Sequence, residues 1–418
     1  AYCPEVGRYR MWYNINHVVC EIGKQNEHFL LALAESEDAV CWRPWPGAGP
    51  DGSNVVFSGR DNSIHGAMVM RDAADPDPSR RYKCAASMDG IHGSQTLVAG
   101  IVATSPDGIR WDDRDCRYQW GMDMSDAYNS IFFNPVLGEY QVIMRTTCTD
   151  RRIATRTSRD LVHWSSPRII LTPDCWDPPC SEFYGMSVFP ADGIFYGFLW
   201  IFDTDLEDSD QVPWKFSGSV YSELVYSYDG LNWLRTHRKA VDLAPPGEYG
   251  STDNYLFNTC VAKEGDRWLT VGAFPCTGHG DGLYREHQSD RANSARMISH
   301  KICAVKPGRF CGLQSIGNHG FLRAKKIFLK QGDLTFNVAA PHGGMRVQLT
   351  DLWYRPVPGF TFEDAVPFRG DELAWKPCWK ERRVGEVAGK AFGIEVEWQA
   401  GSLYGISGDF LPFHASLP

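Results

Sequence analysis

Several features that place a protein quickly are missing from this chain. Its longest apolar run, Ile194 to Phe202, is far short of the roughly 20 residues that span a bilayer, so no membrane helix is expected. No broad basic field exists either: 42 Lys and Arg stand against 51 Asp and Glu, a net charge of -9. That balance argues against nucleic acid or an anionic membrane surface as a partner. There is no His-Glu-x-x-His, Cys-x-x-Cys or phosphate-loop pattern, which removes the common zinc and phosphate-loop nucleotide readings. No Asn-x-Ser/Thr sequon occurs. The chain opens on Ala1-Tyr2-Cys3-Pro4 without a signal-peptide pattern, a beginning shared by cytoplasmic, mature and trimmed forms.

Cysteine is not lacking, but its count is odd. Thirteen leave at least one thiol unpaired within the chain. Cys175 and Cys180 flank Trp-Asp-Pro-Pro, where a loop disulfide is geometrically open; as a competing reading, most cysteines are small buried hydrophobes. The expectation is an exported protein, extracellular or periplasmic, with a few disulfides. With 43% hydrophobic and 22% charged residues over 418 positions, the chain can build one large domain and a smaller one.

One repeat dominates what is there. Ser36-Glu-Asp-Ala-Val-Cys-Trp42, Ser105-Pro-Asp-Gly-Ile-Arg-Trp111, Ser158-Arg-Asp-Leu-Val-His-Trp164 and Ser227-Tyr-Asp-Gly-Leu-Asn-Trp233 all read Ser-x-Asp-x-x-x-Trp. Each follows an alternating β run: 29–34, 97–103, 152–157 and 219–226. The Asp and Gly suit a tight turn, and the Trp is expected to return between neighbouring sheets. Two further strands precede most of these runs, as at 130–133 with 139–145, and 185–189 with 194–202, which makes each unit a four-stranded propeller blade. A fifth, degenerate unit covers 256–262, 268–274 and 295–305, with Phe310 standing in for the Trp. The first unit is incomplete at its start, since only Tyr9 to Tyr13 precedes its turn; its innermost strand falls to the few residues before Glu5 or to another part of the chain. After about residue 320 the rhythm changes. Leu334–Val338, Met345–Leu349 and Phe392–Trp398 alternate in and out like strands with one wet face. The expected architecture is all-β: a five-bladed β-propeller over 1–319 followed by a jelly-roll-like β-sandwich over 320–418.

Tyr9-Arg-Met-Trp-Tyr13, the Ser-x-Asp-Gly-x-x-Trp turns, Arg80-Arg-Tyr-Lys83 and the stretch from Leu334 to Asp351 resemble five-bladed propeller proteins related to glycoside hydrolase families 32 and 43. The resemblance implies a glycan as partner, hydrolysis as the activity and a C-terminal β-sandwich. The turn is also similar to the sialidase Asp-box, which has one more residue between Asp and Trp. Catalytic residues do not carry over by motif: Trp-x-Asn-Asp-Pro-Asn, Arg-Asp-Pro and Glu-Cys are all absent, and Arg71-Asp72-Ala73 is only close to the second.

Candidates therefore come from position. Innermost strands of a propeller converge on its channel, so polar residues at their starts can meet. These are Asp61, Asn62 and His65, then Asp126 and Asn129, then Glu182 and Tyr184, then Asp253 and Asn254. Glycoside hydrolysis uses an acid and a base or nucleophile. Glu182 opens an apolar strand, where desolvation suits an acid. Asp126 is the expected base or nucleophile, with Asp253 and Asp61 orienting; each of these carboxylates can instead cap a turn. His65, Asn129, Arg145, Tyr184, Asn254 and Trp176 are the expected substrate-binding residues, Arg145 toward an anionic sugar substituent. Arg151, Arg152 and Arg156 read as a solvated face, and Trp12 as structural.

No resident metal or cofactor is expected. The acidic stretch Asp203, Asp205, Glu207, Asp208 and Asp210 is open to calcium but reads as a solvated loop, and His279, Asp281 and His287, in a Gly-rich stretch, read as a lid or solvated loop rather than a zinc site. The leading reading is an exo-acting glycoside hydrolase with its site at one channel mouth. The rival is a non-catalytic glycan-binding or scaffolding propeller.

Overall fold

A computed structural model describes the chain except for residues 22–23, 48–51, 60–63, 93–94, 113–127, 147–150, 205–217, 236–237, 239–256, 276–297, 316 and 414–418. The fold is all-β, and the chain divides into two compact units, Ala1–Ala304 and Val305–Pro418. That division lies ahead of the expected 319/320 boundary. Leu313–Gln314 already pairs with the last strand of the second unit, and Arg309 is bonded to Asn337 at 2.7 Å.

Among the described residues, the first unit contains five antiparallel sheets, each from one continuous stretch of chain. Sheet one holds β1 (Tyr2–Cys3), β2 (Arg8–Glu21), β3 (Lys24–Ser36), β4 (Arg43–Pro44) and β5 (Val55–Phe57). Sheet two holds β6 (Ile64–Arg71), β7 (Tyr82–His92) and β8 (Gln95–Ser105). Sheet three runs β9 (Ser130–Asn134), β10 (Glu139–Arg145), β11 (Ile153–Ser158) and β12 (Arg168–Leu171). Sheet four runs β13 (Ser181–Ala191), β14 (Ile194–Thr204), β15 (Gly218–Ser227) and β16 (Trp233–Leu234). Sheet five holds β17 (Phe257–Glu264), β18 (Arg267–Pro275) and β19 (Ile298–Val305). Such up-and-down meanders are the blades of a propeller. The first blade has a strand beyond β2: the two-residue β1, from the residues before Glu5, pairs Tyr2 with Tyr9.

The repeated turn is one structure used four times. In each copy the serine hydroxyl bonds the aspartate, and one aspartate oxygen accepts two backbone N–H groups, as Asp229 does from Leu231 at 2.8 Å and Asn232 at 2.7 Å. The residue after the aspartate is left-handed every time: Ala39 (φ 58°), Gly108 (72°), Leu161 (67°) and Gly230 (76°). Each Trp joins a core shared with the preceding sheet. Trp111 packs with Leu31, Phe57 and Ile64; Trp164 with Ala85, Val102 and Ile131; Trp233 with Phe132, Ile143 and Phe183. Trp42 joins Tyr9 and Ala39 of sheet one to Leu269 and Ile302 of sheet five, so the fifth sheet packs back on the first. Burial is less complete than expected. Only Trp233 is buried, while Trp42, Trp111 and Trp164 are half-buried, because each covers the rim of its interface. Phe310 does not complete the fifth sheet; it belongs to the second unit.

The second unit is built on one six-stranded sheet. Its order is β20 (Leu313–Gln314), β27 (Ser402–Pro412), β22 (Ile327–Thr350), β26 (Ala391–Gln399), β21 (Gly320–Arg323), with β23 (Phe368–Trp375) also on β22. A two-stranded ribbon, β24 (Cys378–Trp379) with β25 (Arg382–Arg383), completes it. The runs Leu334–Val338 and Met345–Leu349, read as separate strands, are parts of one 24-residue strand. Residues up to Ala339 pair with β27, and those from Gly344 with β26. The sheet thus curls over a single core, in which Leu334, Phe336 and Val338 meet Met345, Val347, Leu349, Ile394 and Val396. Gly343 permits the bend, since a Cβ there would lie 1.7 Å from the Gln399 carbonyl oxygen.

Candidate active site

The start of β13 carries a buried polar group. Ser181 closes a turn on the Pro178 carbonyl at 3.0 Å, and the Phe183 N–H donates to the Arg151 carbonyl at 2.9 Å. The chain before β11 is thereby laid against the start of β13. The consequence is a buried ion pair: Arg151 Nη1 donates to Glu182 Oε2, with both side chains almost wholly removed from water. Burying two charges is unfavourable unless they meet in good geometry, and losing either partner strands the other.

Around this pair stands an aromatic and cationic shell. A bulge between Phe183 and Gly185 takes Tyr184 out of regular register. Gly185 is required there, because a Cβ would meet the Trp200 ring at 2.8 Å. Arg145, buried at the end of β10, lies 4.2 Å from the Tyr184 ring centre and donates to the Tyr184 carbonyl at 3.1 Å. Arg151 also faces the rings of Tyr184 and Phe202 at 5.6 and 5.5 Å. Tyr128, in a left-handed backbone conformation (φ 82°), packs its ring 4.3 Å from that of Trp200.

Of the expected site residues, Glu182, Arg145 and Tyr184 are gathered in this group. The surroundings of Glu182 are not those expected. Its strand is apolar, but the carboxylate itself faces a guanidinium supplied by a neighbouring loop. Arg151 was assigned to a solvated face; it is buried because it precedes β11, where strand alternation does not apply. Tyr128 and Trp200 carried no sequence signal beyond being aromatic.

Other candidates separate from this group. Asn129 is fully buried, its side chain donating to Ser87 Oγ at 3.0 Å and its N–H to the Gly66 carbonyl at 2.9 Å. It joins sheets two and three. His65 packs on the Phe29 ring at 4.4 Å. Trp176 is 80% exposed on the loop before β13, its N–H bonded to Asp174 Oδ1. That loop is clamped: Arg235 reaches Asp177 at 2.7 and 2.8 Å, and Arg238 reaches Asp174 at 2.6 and 2.8 Å. Hydrogen bonding from Arg238 holds the Asp174 carboxyl well below the usual carboxylate range. Cys175 and Cys180 are both free thiols, so the loop disulfide is not formed. The clamp of ion pairs fixes the loop instead.

Asp61, Asn62, Asp126, Asp253 and Asn254 lie outside the described residues, as do Asp205, Glu207, Asp208, Asp210, His279, Asp281 and His287. Asp72, in the near-match to a family triplet, serves the framework. It accepts from Lys83 Nζ at 2.9 Å and from the Tyr140 hydroxyl at 2.7 Å, within a buried group that includes Asp75. Burial opposes its ionisation, yet the bonds from Lys83 and Tyr140 win and lower its pKa. Among the described residues no helix is long and apolar enough to cross a membrane.

These features define an all-β, propeller-type chain with a buried carboxylate–arginine pair at the start of an inner strand. Solved structures to which it is similar include glycoside hydrolases. A family-32 β-fructofuranosidase of Bombyx mori is 10% identical with a TM-score of 0.46, covering 96% of this chain and 89% of that one. A thermostable family-43 glycoside hydrolase is 11% identical at 0.42, covering 66% and 86%. An endo-1,4-β-xylanase of Bacteroides thetaiotaomicron is 13% identical at 0.42, covering 72% and 95%. No family model and no curated protein matches the sequence. The reaction must be argued from residues.

Proposed function

We propose that the chain is a glycoside hydrolase, exo-acting on an oligo- or polysaccharide, with its site where the inner strands begin. In this reading the first unit is a complete five-bladed propeller and the second a β-sandwich domain. The observation that carries it is Glu182: a buried carboxylate at an inner-strand start, beside Arg151, Arg145 and the Tyr184 ring. Hydrolysis of a glycosidic bond needs two carboxyl groups and no cofactor. One Glu182 oxygen accepts from the Arg151 guanidinium, as in an ion-paired carboxylate. Glu182 therefore suits the base or nucleophile, and the acid falls to Asp61, Asp126 or Asp253, the carboxylates that the sequence puts at neighbouring strand starts. Tyr184 offers a ring face for a sugar, and exposed Trp176, on its clamped loop, offers a second.

The test is a screen of aryl-glycosides and plant or algal glycans with wild type and Glu182→Gln. Hydrolysis by wild type that falls roughly 10²–10⁴-fold in the variant supports the assignment. Full activity in the variant removes Glu182 from the chemistry. Glycan binding without turnover by wild type favours the non-catalytic propeller, a reading supported by the commitment of Glu182 to an ion pair.

A further inference from the structure

We propose that the second unit carries a separate binding site for an anionic glycan, centred on Trp353 and Tyr354. Among the described tryptophans only Trp176 and Trp353 are exposed, and Trp353 is 78% so. It sits on a tight hairpin after β22. Asp351 Oδ1 accepts the Trp353 and Arg355 N–H groups at 2.7 and 2.9 Å, and the Asp351 N–H donates to the Arg355 carbonyl at 2.8 Å. The indole is thus presented on a rigid support, which limits the entropy lost when a flat ligand face stacks on it.

The next residue breaks a local rule. Tyr354 has φ 63°, a left-handed conformation in which glycine is the economical choice and a bulky side chain is strained. The tyrosine ring gathers positive charge: Lys326 Nζ lies 4.1 Å and the Arg323 guanidinium 4.6 Å from its centre. The Arg355 and Trp353 N–H groups hold the Asp351 carboxyl below its usual range, with a smaller contribution from the Arg355 and Lys326 charges. Arg323 is partly offset by Glu395 at 2.6 Å. Charge across the unit points the same way. Residues 305–418 hold fourteen Lys and Arg against eleven Asp and Glu, a net charge of +3 within a chain of -9. An anionic ligand is drawn to this unit and repelled by the rest.

Aromatic faces bind the C–H faces of sugar rings, and lysine and arginine bind carboxylate or sulfate groups. The combination specifies a glycan bearing uronate or sulfate. This inference rests on the glycan-directed reading above, but not on hydrolysis. The test measures binding by the full chain to polygalacturonate, dextran sulfate and neutral dextran, with phosphatidylserine-containing vesicles and single-stranded oligo(dT) as controls. Retention by either anionic glycan, and not by neutral dextran, is expected; which one is retained separates uronate from sulfate. Trp353→Ala should weaken binding about tenfold. Lys326→Gln should weaken it and reduce its salt dependence. Tyr354→Gly should weaken binding while unfolding no earlier than wild type, which separates recognition from folding. Glu182→Gln should bind like wild type whatever its activity, so failure of the hydrolase reading leaves this site standing. Equal retention by neutral dextran, binding only to vesicles or oligo(dT), no retention at all, unchanged binding in Trp353→Ala, or loss of binding in Glu182→Gln each overturns it.

Discussion

Gln141 Nε2 donates to the carbonyl oxygen of Gly230 at 2.7 Å, joining residues 89 positions apart. The bond ties the middle of sheet three to the repeated turn of sheet four. Trp12 Nε1 makes the corresponding bond to the Gly108 carbonyl, at 2.7 Å, between sheets one and two. Each turn therefore does two jobs: it closes its own sheet and docks on the sheet before. Gln141 is fully buried, and Asn134 donates to its other amide atom at 2.8 Å. Gln141→Leu should cost about 1–3 kcal/mol in chemical denaturation by stranding the Gly230 and Asn134 groups. An unchanged midpoint would mean that water replaces the amide.

Backbone conformation supplies a second, asymmetric test. Gly230→Ala forces a Cβ to 2.5 Å from Asn134 Nδ2 and 2.7 Å from Gln141 Oε1 at a left-handed position. A loss of at least about 2 kcal/mol is expected. The reverse change at the equivalent place, Ala39→Gly, relieves about 1–2 kcal/mol of left-handed strain. It also gives up one buried methyl group, about 0.8 kcal/mol. It should therefore be close to neutral. Equal effects from the two changes would contradict the equivalence of the turns.

The ion pair of Glu182 and Arg151 predicts strong non-additivity. Arg151→Met alone leaves a buried carboxylate without its guanidinium and should destabilise by about 3–5 kcal/mol. Combining it with Glu182→Gln should recover much of that loss. A double-mutant cycle with a coupling near zero would show that the two groups are solvated separately.

Acid stability follows from the turns. The Asp38 carboxyl is held at about 2 by the Cys41 and Val40 N–H groups and the Ser36 hydroxyl. Asp229 also lies at about 2: burial opposes this, but the Asn232 and Leu231 N–H groups outweigh it. Glu5 reaches about 2 as well, where burial is overcome by Arg71 and Tyr82. A depressed folded-state pKa means stability that is present above the ordinary values of 3.8 and 4.5 and lost as pH falls toward 2. Unfolding free energy should therefore drop between about pH 4.5 and 2, and Asp38→Asn with Asp229→Asn should flatten the curve there. A curve equally steep in the double variant would assign the acid sensitivity elsewhere.

The division between Ala304 and Val305 also makes a prediction. A fragment of residues 305–418 contains the curled sheet and its core entire. It should fold alone, giving a cooperative thermal transition and dispersed amide resonances. A molten fragment would show that the core needs the first unit.

Much of the fold was legible because it repeats. Ser-x-Asp-x-x-x-Trp is local chemistry: a carboxylate reaching two N–H groups, a left-handed residue and an aromatic all fall within seven positions. Alternation placed the strands for the same reason, since a pleat has period two wherever one face is buried. Local pattern failed where the chain is held from a distance. Leu334–Val338 and Met345–Leu349 read as two strands because Pro341-His-Gly-Gly344 looks like a turn, yet pairing to β23 on both sides of that tetrapeptide carries β22 through it. The site divides likewise. Glu182 was found from its place at a strand start, but that Arg151 would cover it depended on one backbone bond, from Phe183 to the Arg151 carbonyl. Residues 31 positions apart in sequence have no local signal for that contact, so sequence determined the blades and their turns, and only tertiary packing decided which charges face each other across them.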